Sequence, residues 1–255
     1  MDYPGRIIKA GETDTRIVGA ITKKLAARGY PTEAGDKAYD ARLTALVKLF
    51  QSQQVDAAGR PLVMDGRVGP MTWGALFGAD VVSTVPPGLA GRALTIAVGE
   101  IGVMEDPLGS NRGPKVDLYL ASVGLDPGRF WCMAFVHHCF AEAAKADGVA
   151  NPFPRTGGVL EAWRRAQKSH PATIVTAAAA RADPNLIRPG LVFILDHGKG
   201  LGHTGFVRTV VGGAFRTVEG NSNPNGSSNG IGVFDMDRRK VTSTELRGFI
   251  DFTAA

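Results

Sequence analysis

The stretch Gly202-His203-Thr204-Gly205-Phe206-Val207-Arg208-Thr209-Val210-Val211-Gly212-Gly213-Ala214-Phe215-Arg216-Thr217-Val218-Glu219 decides the fold. Two runs rich in β-branched and aromatic residues flank a Gly-Gly pair, the pattern of an antiparallel hairpin. Upstream, Leu191-Val192-Phe193-Ile194-Leu195 follows Pro189-Gly190 and reads as another strand. Downstream, Gly232-Val233-Phe234 and Gly248-Phe249-Ile250-Asp251-Phe252 complete the strand set. Helical patterns precede all of these, and helices followed by an antiparallel meander describe an α+β domain.

The hairpin poses a question of parity. A two-residue turn at Gly212-Gly213 pairs 211 with 214 and sets 206 opposite 219, so that Glu219 faces away from His203. An odd-length loop or a bulge pairs 205 with 219 instead and leaves Glu219 diagonal to His203 on one face, about 7 Å away between Cα atoms. The expectation is therefore an odd loop or a bulge.

Further upstream, the residues from Trp131 to Ala144 are apolar nearly all round, which predicts a buried helix. Trp163 sits in another helical pattern, and Ala177 to Ala180 is an alanine-rich stretch. Leu94 to Val103 and Val116 to Leu120 predict two more helices, joined by the loop Glu105-Asp106-Pro107-Leu108-Gly109-Ser110-Asn111-Arg112-Gly113. The uncharged, Pro-Pro-containing stretch Val81 to Gly91 reads as an extended linker. Before it, Ile17, Ile21 and Leu25, then Leu43, Leu46, Val47 and Phe50, give two helical stripes, and Pro70 opens a third helix with Trp73, Leu76 and Phe77. The expected organisation is residues 1–79 as a three-helix unit, 80–91 as linker and 92–255 as the α+β domain.

The chain has 255 residues, 29 Lys and Arg against 24 Asp and Glu, and a net charge of +5. A positive balance suits a polyanionic partner. The basic residues are scattered, with tight pairs at Lys23-Lys24, Arg164-Arg165 and Arg238-Arg239, and none is interleaved with aromatics; nucleic acid is not expected. No run of 18 apolar residues occurs, so no membrane span is expected. Met1-Asp2-Tyr3-Pro4-Gly5-Arg6 does not read as a signal peptide, so synthesis in the cytoplasm is expected. Cys132 and Cys139 lie seven positions apart on one predicted helix, about 10 Å along its axis. A disulfide needs Cα atoms within about 7 Å, so both are expected as free thiols, with no metal site and no cofactor.

A thiolate is the nucleophilic form of cysteine. Cys132 opens the buried helix, where unpaired N–H groups and the macrodipole favour negative charge and can hold an oxyanion. Cys139, two turns deeper, reads as packing. His137 and His138 share the helix but not the i+3 or i+4 spacing from Cys132, and His170 and His197 read as loop residues. His203 opens a strand between small neighbours, which makes it the candidate general base. Glu219 is the candidate to orient the imidazole, with Asn221 as the alternative.

Two resemblances join these readings. Val47-Lys48-Leu49-Phe50-Gln51, followed by Asp65-Gly66-Arg67-Val68-Gly69-Pro70-Met71-Thr72-Trp73-Gly74-Ala75-Leu76, resembles the peptidoglycan-binding domain of many cell-wall hydrolases. Bottom-up, Asp65, Gly66, Gly69 and Leu76 read as structural, with Gly66 and Gly69 permitting turn geometry, while an exposed Gln51 or Arg67 is a candidate ligand contact. "FWCMAFV", "GHTGFV" and "VEGNSN", in that order, resemble the cysteine, histidine-dependent amidohydrolase/peptidase (CHAP) family, relatives of the NlpC/P60 hydrolases with a papain-like core. The resemblance implies Cys132 as nucleophile, His203 as base and Glu219 as third member, and substrate contacts from Asn111, Trp131 and Asn221. Where the family usually has Gly-Asp, this chain has Gly190-Leu191, so no polar contact or metal is expected there. The implied function is hydrolysis of an amide in the peptide part of peptidoglycan by a monomer acting on the cell wall, delivered through a holin as an endolysin or by a secretion machine as an antibacterial effector. The rival expectations are an inactive wall-binding protein and a thiol amidase or acyltransferase with another substrate.

Overall fold

The computed structural model describes residues 3–32, 37–55, 61–78, 85–169, 171–211, 214–223 and 230–253. Three helices come first: α1 (Thr15–Ala26), α2 (Ala41–Gln53) and α3 (Pro70–Phe77). Asp14 and Asp40 cap the first two by accepting from the backbone N–H groups of Arg16 and Leu43, and Pro70 takes the first position of the third. Residues 80–84 of the linker expected at 80–91 lie outside the described residues. Its end is packed, for α4 (Leu89–Gly99) already begins there and Gly91 leaves no room for a Cβ beside the Pro86 carbonyl.

The rest of the chain is α+β. Helices α5 (Pro114–Ser122), α6 (Cys132–Asp147) and α7 (Val159–Ala166) lead to β1 (Thr173–Thr176), α8 (Ala177–Ala182) and a 3-10 turn at Pro184–Leu186. Then come β2 (Val192–Gly198), β3 (Leu201–Val211), β4 (Ala214–Ser222), β5 (Gly232–Lys240) and β6 (Leu246–Asp251). The six strands form one sheet in the order β1-β6-β2-β3-β4-β5, with every neighbouring pair antiparallel. The simple meander expected from sequence holds only for β2 to β5. β6 crosses back to pair with β2, and β1, four β-branched residues not anticipated as a strand, closes that edge.

The sheet is buried on both faces, and its side chains alternate between two cores. Val192, Ile194, Phe206, Val218 and Ile250 pack into a cluster built on α6, α4 and α5. Phe193, Leu195, Val207, Val210, Phe215 and Phe249 face a second cluster continuous with the core of α1, α2 and α3. A closely packed segment of this second region is Gly69, at the mouth of α3. Its φ of −94° is ordinary, so turn geometry is not the reason for glycine here. A Cβ would sit 2.0 Å from Asn185 Oδ1 in the 3-10 turn, so only glycine lets α3 close against the sheet region. Among the described residues, no helix is long and apolar enough to cross a membrane.

Candidate functional site

Cys132 is the first residue of α6, and among the described residues no side chain caps that helix. Its first-turn N–H groups therefore point at whatever lies in front of Cys132, with the positive end of the helix dipole behind them. The thiol is 4% exposed. Ten side chains of α6, from Cys132 to Ala144, are buried, which fixes the helix against β3 and β4. Cys139 is free and buried deeper in the same core, where desolvation pushes its thiol well above the ordinary cysteine value.

His203 lies in β3, paired with Leu195 of β2 and fully buried. Its Nε2 lies 2.8 Å from Glu219 Oε2. The parity of the hairpin permits this contact. Val211 pairs with Ala214 as for a two-residue turn, although Gly212 and Gly213 themselves lie outside the described residues. The register then shifts between Val207 and Thr209, where Arg208 is the extra residue. This bulge restores Phe206 to Val218 and brings Gly205 opposite Glu219. The carboxylate must cross Gly205 to reach His203. A Cβ at Gly205 would stand 2.9 Å from Glu219 Cγ and 2.5 Å from the Val218 carbonyl, so glycine keeps that path open.

The second ring nitrogen, Nδ1, is buried and has no settled hydrogen bond among the described residues. The Cys132 thiol acts on the same ring. Burial disfavours a charged imidazole here, but hydrogen bonding and charge from Cys132 and Glu219 outweigh it and raise His203 to about 9. Burial also opposes charge on Glu219. Arg239 and His203 overcome that and hold its carboxyl far below the usual carboxylate range.

Glu219 meets four side chains. Besides His203, it accepts from Arg239 through a two-point fork, Nε to Oε1 at 2.8 Å and the terminal nitrogen to Oε2 at 2.6 Å. Thr217 donates to Oε1, and Ser222 lies 3.4 Å from Oε2. Arg239 was not foreseen in this place. Its sequence signal was only the Arg238-Arg239 pair, and its position depends on an irregularity between Phe215 and Thr217 in the β4–β5 ladder.

The other anticipated residues fall differently. Trp131 is turned into the core. It is fully buried, and its indole N–H donates to Glu105 Oε1 at 2.8 Å. Glu105, buried at the start of the loop, also accepts from the Asn111 backbone N–H at 3.0 Å. Asn111, at φ 55°, in turn accepts from Gly128 N–H at 2.9 Å, so it braces the Glu105 loop against the segment that enters α6. Its Oδ1 is buried and has no hydrogen bond among the described residues. Asn221 is buried at φ 53° and accepts from Gly230 N–H; Glu219, not Asn221, meets His203. Gln51 is not exposed. It is fully buried in the N-terminal region and ties down the Asp65–Arg67 turn. Arg67 lies 3.8 Å from Asp183, beside the 3-10 turn. His137 and His138 lie away from His203: His137 is buried with Nδ1 3.1 Å from Ser122 Oγ, and His138 packs on Tyr119. His197 pairs with Glu245, and His170 lies outside the described residues.

A thiol at the mouth of a buried helix, acting on an imidazole that a buried carboxylate braces, is the equipment for nucleophilic acyl transfer by cysteine. Residues 125–221 match the family model described as CHAP domain, and this part of the chain is a CHAP domain. Such a domain implies a cysteine- and histidine-dependent hydrolase of the peptidoglycan amidase or endopeptidase type. The match leaves α1 to α5, β5 and β6 outside it. No curated protein and no solved structure matches the chain.

Proposed function

We propose that this protein hydrolyses an amide in the peptide part of bacterial peptidoglycan, as an N-acetylmuramoyl-L-alanine amidase or an endopeptidase, with Cys132 as nucleophile, His203 as acid and base, and Glu219 as the group that orients the imidazole. The observation that carries it is the buried His203–Glu219 contact at 2.8 Å, with Cys132 acting on the same ring from the start of α6.

The Cys132 thiolate attacks the amide carbonyl, and the C=O π electrons move onto oxygen. First-turn N–H groups of α6 receive that oxyanion. As the C–N bond breaks, the imidazolium gives its proton to the leaving amine and a thioester remains. With Nε2 on Glu219, the proton travels through Nδ1. The neutral imidazole then takes a proton from water, the hydroxide attacks the thioester, and the thiolate departs. Glu219 keeps the ring in the required orientation throughout and stays ionised.

In this reading α1 to α3 bind the polymer and raise the local concentration of substrate at Cys132. The cell wall is the site of action, with an endolysin or an antibacterial effector as the biological setting. The test is lysis of purified sacculi. Cys132→Ala abolishes release of peptide while the protein still sediments with the wall; persistent lysis by Cys132→Ala would end the mechanism, and loss of sedimentation on removing the wall-binding unit's exposed side chains would support the anchor.

A further inference from the structure

We infer that Arg239 is a positioning residue of this site: by gripping both oxygens of Glu219 from β5, it supplies the fourth charge that lets a buried thiolate, imidazolium and carboxylate coexist. The inference rests on the cysteine–histidine reading of the site and deepens it. The grip is geometric. Nε and a terminal nitrogen of one guanidinium meet Oε1 and Oε2 of one carboxylate at 2.8 Å and 2.6 Å. Glu219 is fully buried, and the Arg239 side chain is 17% exposed. The guanidinium is itself held 5.5 Å from the Phe193 ring centre, and that ring also neighbours His203 at 6.1 Å. Thr217 closes the remaining side of Oε1.

Counting charge explains why a cation belongs there. In the reactive form Cys132 carries −1, His203 +1 and Glu219 −1. Without a fourth charge the buried set is left at −1, which a low-dielectric interior penalises. Such an excess opposes the thiolate and drives a proton onto Glu219, releasing the imidazole. Arg239 brings the sum to zero and spans both oxygens, so the carboxylate cannot rotate away from His203. The charged and titratable groups facing this carboxylate are His203 from β3 and Arg239 from β5, with Cys132 of α6 beyond the ring. Glu245, in the β5–β6 turn, acts on Arg239. Arg239 lies outside the matched family segment, so this cation is contributed by the part of the chain that follows it.

The test uses the full-length chain and follows the rate of Cys132 alkylation by iodoacetamide against pH, alongside sacculus lysis. In Arg239→Met the whole alkylation profile moves to higher pH, its acid limb by about one unit, and lysis at pH 7 falls about 30-fold. Arg239→Lys restores the charge without the fork; it recovers most of the profile and only part of the rate. In Glu219→Gln no carboxylate remains to be gripped, so adding Arg239→Met to it costs no further activity. A profile and rate in folded Arg239→Met that superimpose on the parent overturn the inference. If Arg239→Met does not fold, the double variant decides: a further tenfold loss beyond Glu219→Gln alone means that Arg239 does not act through Glu219. Alkylation needs no polymer, so a chain whose profile shifts as expected but which releases nothing from sacculi refutes the proposed substrate and leaves Arg239 in its role.

Discussion

Gln51 in the N-terminal region and Glu219 in the sheet are both fully buried polar side chains that meet several partners, yet they do opposite work. Gln51 donates to Asp65 Oδ1, the Arg67 carbonyl and Thr72 Oγ1, and accepts from Gly66 N–H. It is neutral, and its partners are the Asp65 carboxylate, backbone groups of the Asp65–Arg67 turn and the Thr72 hydroxyl of α3. Glu219 is charged, and one of its partners is a titratable ring with a second nitrogen that no settled hydrogen bond uses. A buried polar group whose bonds close on themselves holds a shape. One whose network ends in an unspent nitrogen next to a thiol can move a proton. Burial and the number of partners are alike in the two; what differs is whether an imidazole beside a thiol stands at the end of the chain of bonds.

Removing the neutral hub is expected to have the largest effect on stability. Gln51→Ala leaves the Gly66 N–H without its partner and takes the amide donor from the Asp65 carboxylate, the Arg67 carbonyl and Thr72 at once. Unmade buried hydrogen bonds cost about 1–3 kcal/mol each, so a loss of about 4 kcal/mol is expected. Thermal unfolding followed by circular dichroism should show a fall of more than 10 °C. The rate of Cys132 alkylation per folded molecule should stay unchanged. A change in that rate without a fall in Tm would erase the contrast between the two hubs.

The sheet hub is sharpened by the residue that its carboxylate crosses. Gly205→Ala places a Cβ 2.9 Å from Glu219 Cγ and 2.5 Å from the Val218 carbonyl, so the carboxylate must move. A displacement of about 1 Å in a catalytic group costs about 10²-fold, and lysis of sacculi should fall by that factor. The fold should persist, because β3 and β4 keep their neighbours. Full lysis by Gly205→Ala would mean that the route taken by Glu219 is of no consequence.

The two hubs were not equally legible. Cys132 could be read because a helix start is visible in the switch from Gly128 to a continuous apolar run. His203 could be read because its neighbours are small. Glu219 could be read only as a parity condition, since which bulge satisfies it depends on Arg208. That side chain ion-pairs with Asp235 of β5, a contact two strands away that no local pattern announces. Arg239 was hidden for the same reason, as its register is set by an irregularity of the β4–β5 ladder. The side that Trp131 faces could not be read, since an aromatic beside a cysteine gives no sign of it; Glu105, 26 residues upstream, captures its N–H and turns it inward. Gln51 or Arg67 was offered as an exposed ligand contact, and nothing near Gln51 in the sequence shows what covers it. Only the fold brings the Asp65–Arg67 turn over it.

His137 offers the smallest test, and it separates a buried histidine that must stay neutral from the one that must charge. Its Nδ1 lies 3.1 Å from Ser122 Oγ and its Nε2 3.4 Å from Asn151 Nδ2. Asn151 Nδ2 can only donate, so Nε2 accepts and the proton sits on Nδ1 toward Ser122. Burial, then the nearby Arg155 and His138, pushes His137 down to about 4. An unfolded chain takes up this proton near pH 6.5, while the folded chain resists it until about pH 4. Stability is therefore lost as pH falls from 6.5 to 4. His203 acts in the reverse sense: its folded value, near 9, lies above the unfolded one, so its contribution is complete below pH 6.5 and fades as pH rises toward 9. His137→Gln, which keeps a donor and an acceptor but cannot charge, should flatten the fall in Tm between pH 6.5 and 4.5 by about 3 °C and leave the alkaline side untouched. If the acid fall keeps its full slope in His137→Gln, the neutral ring at this position is not what the fold protects.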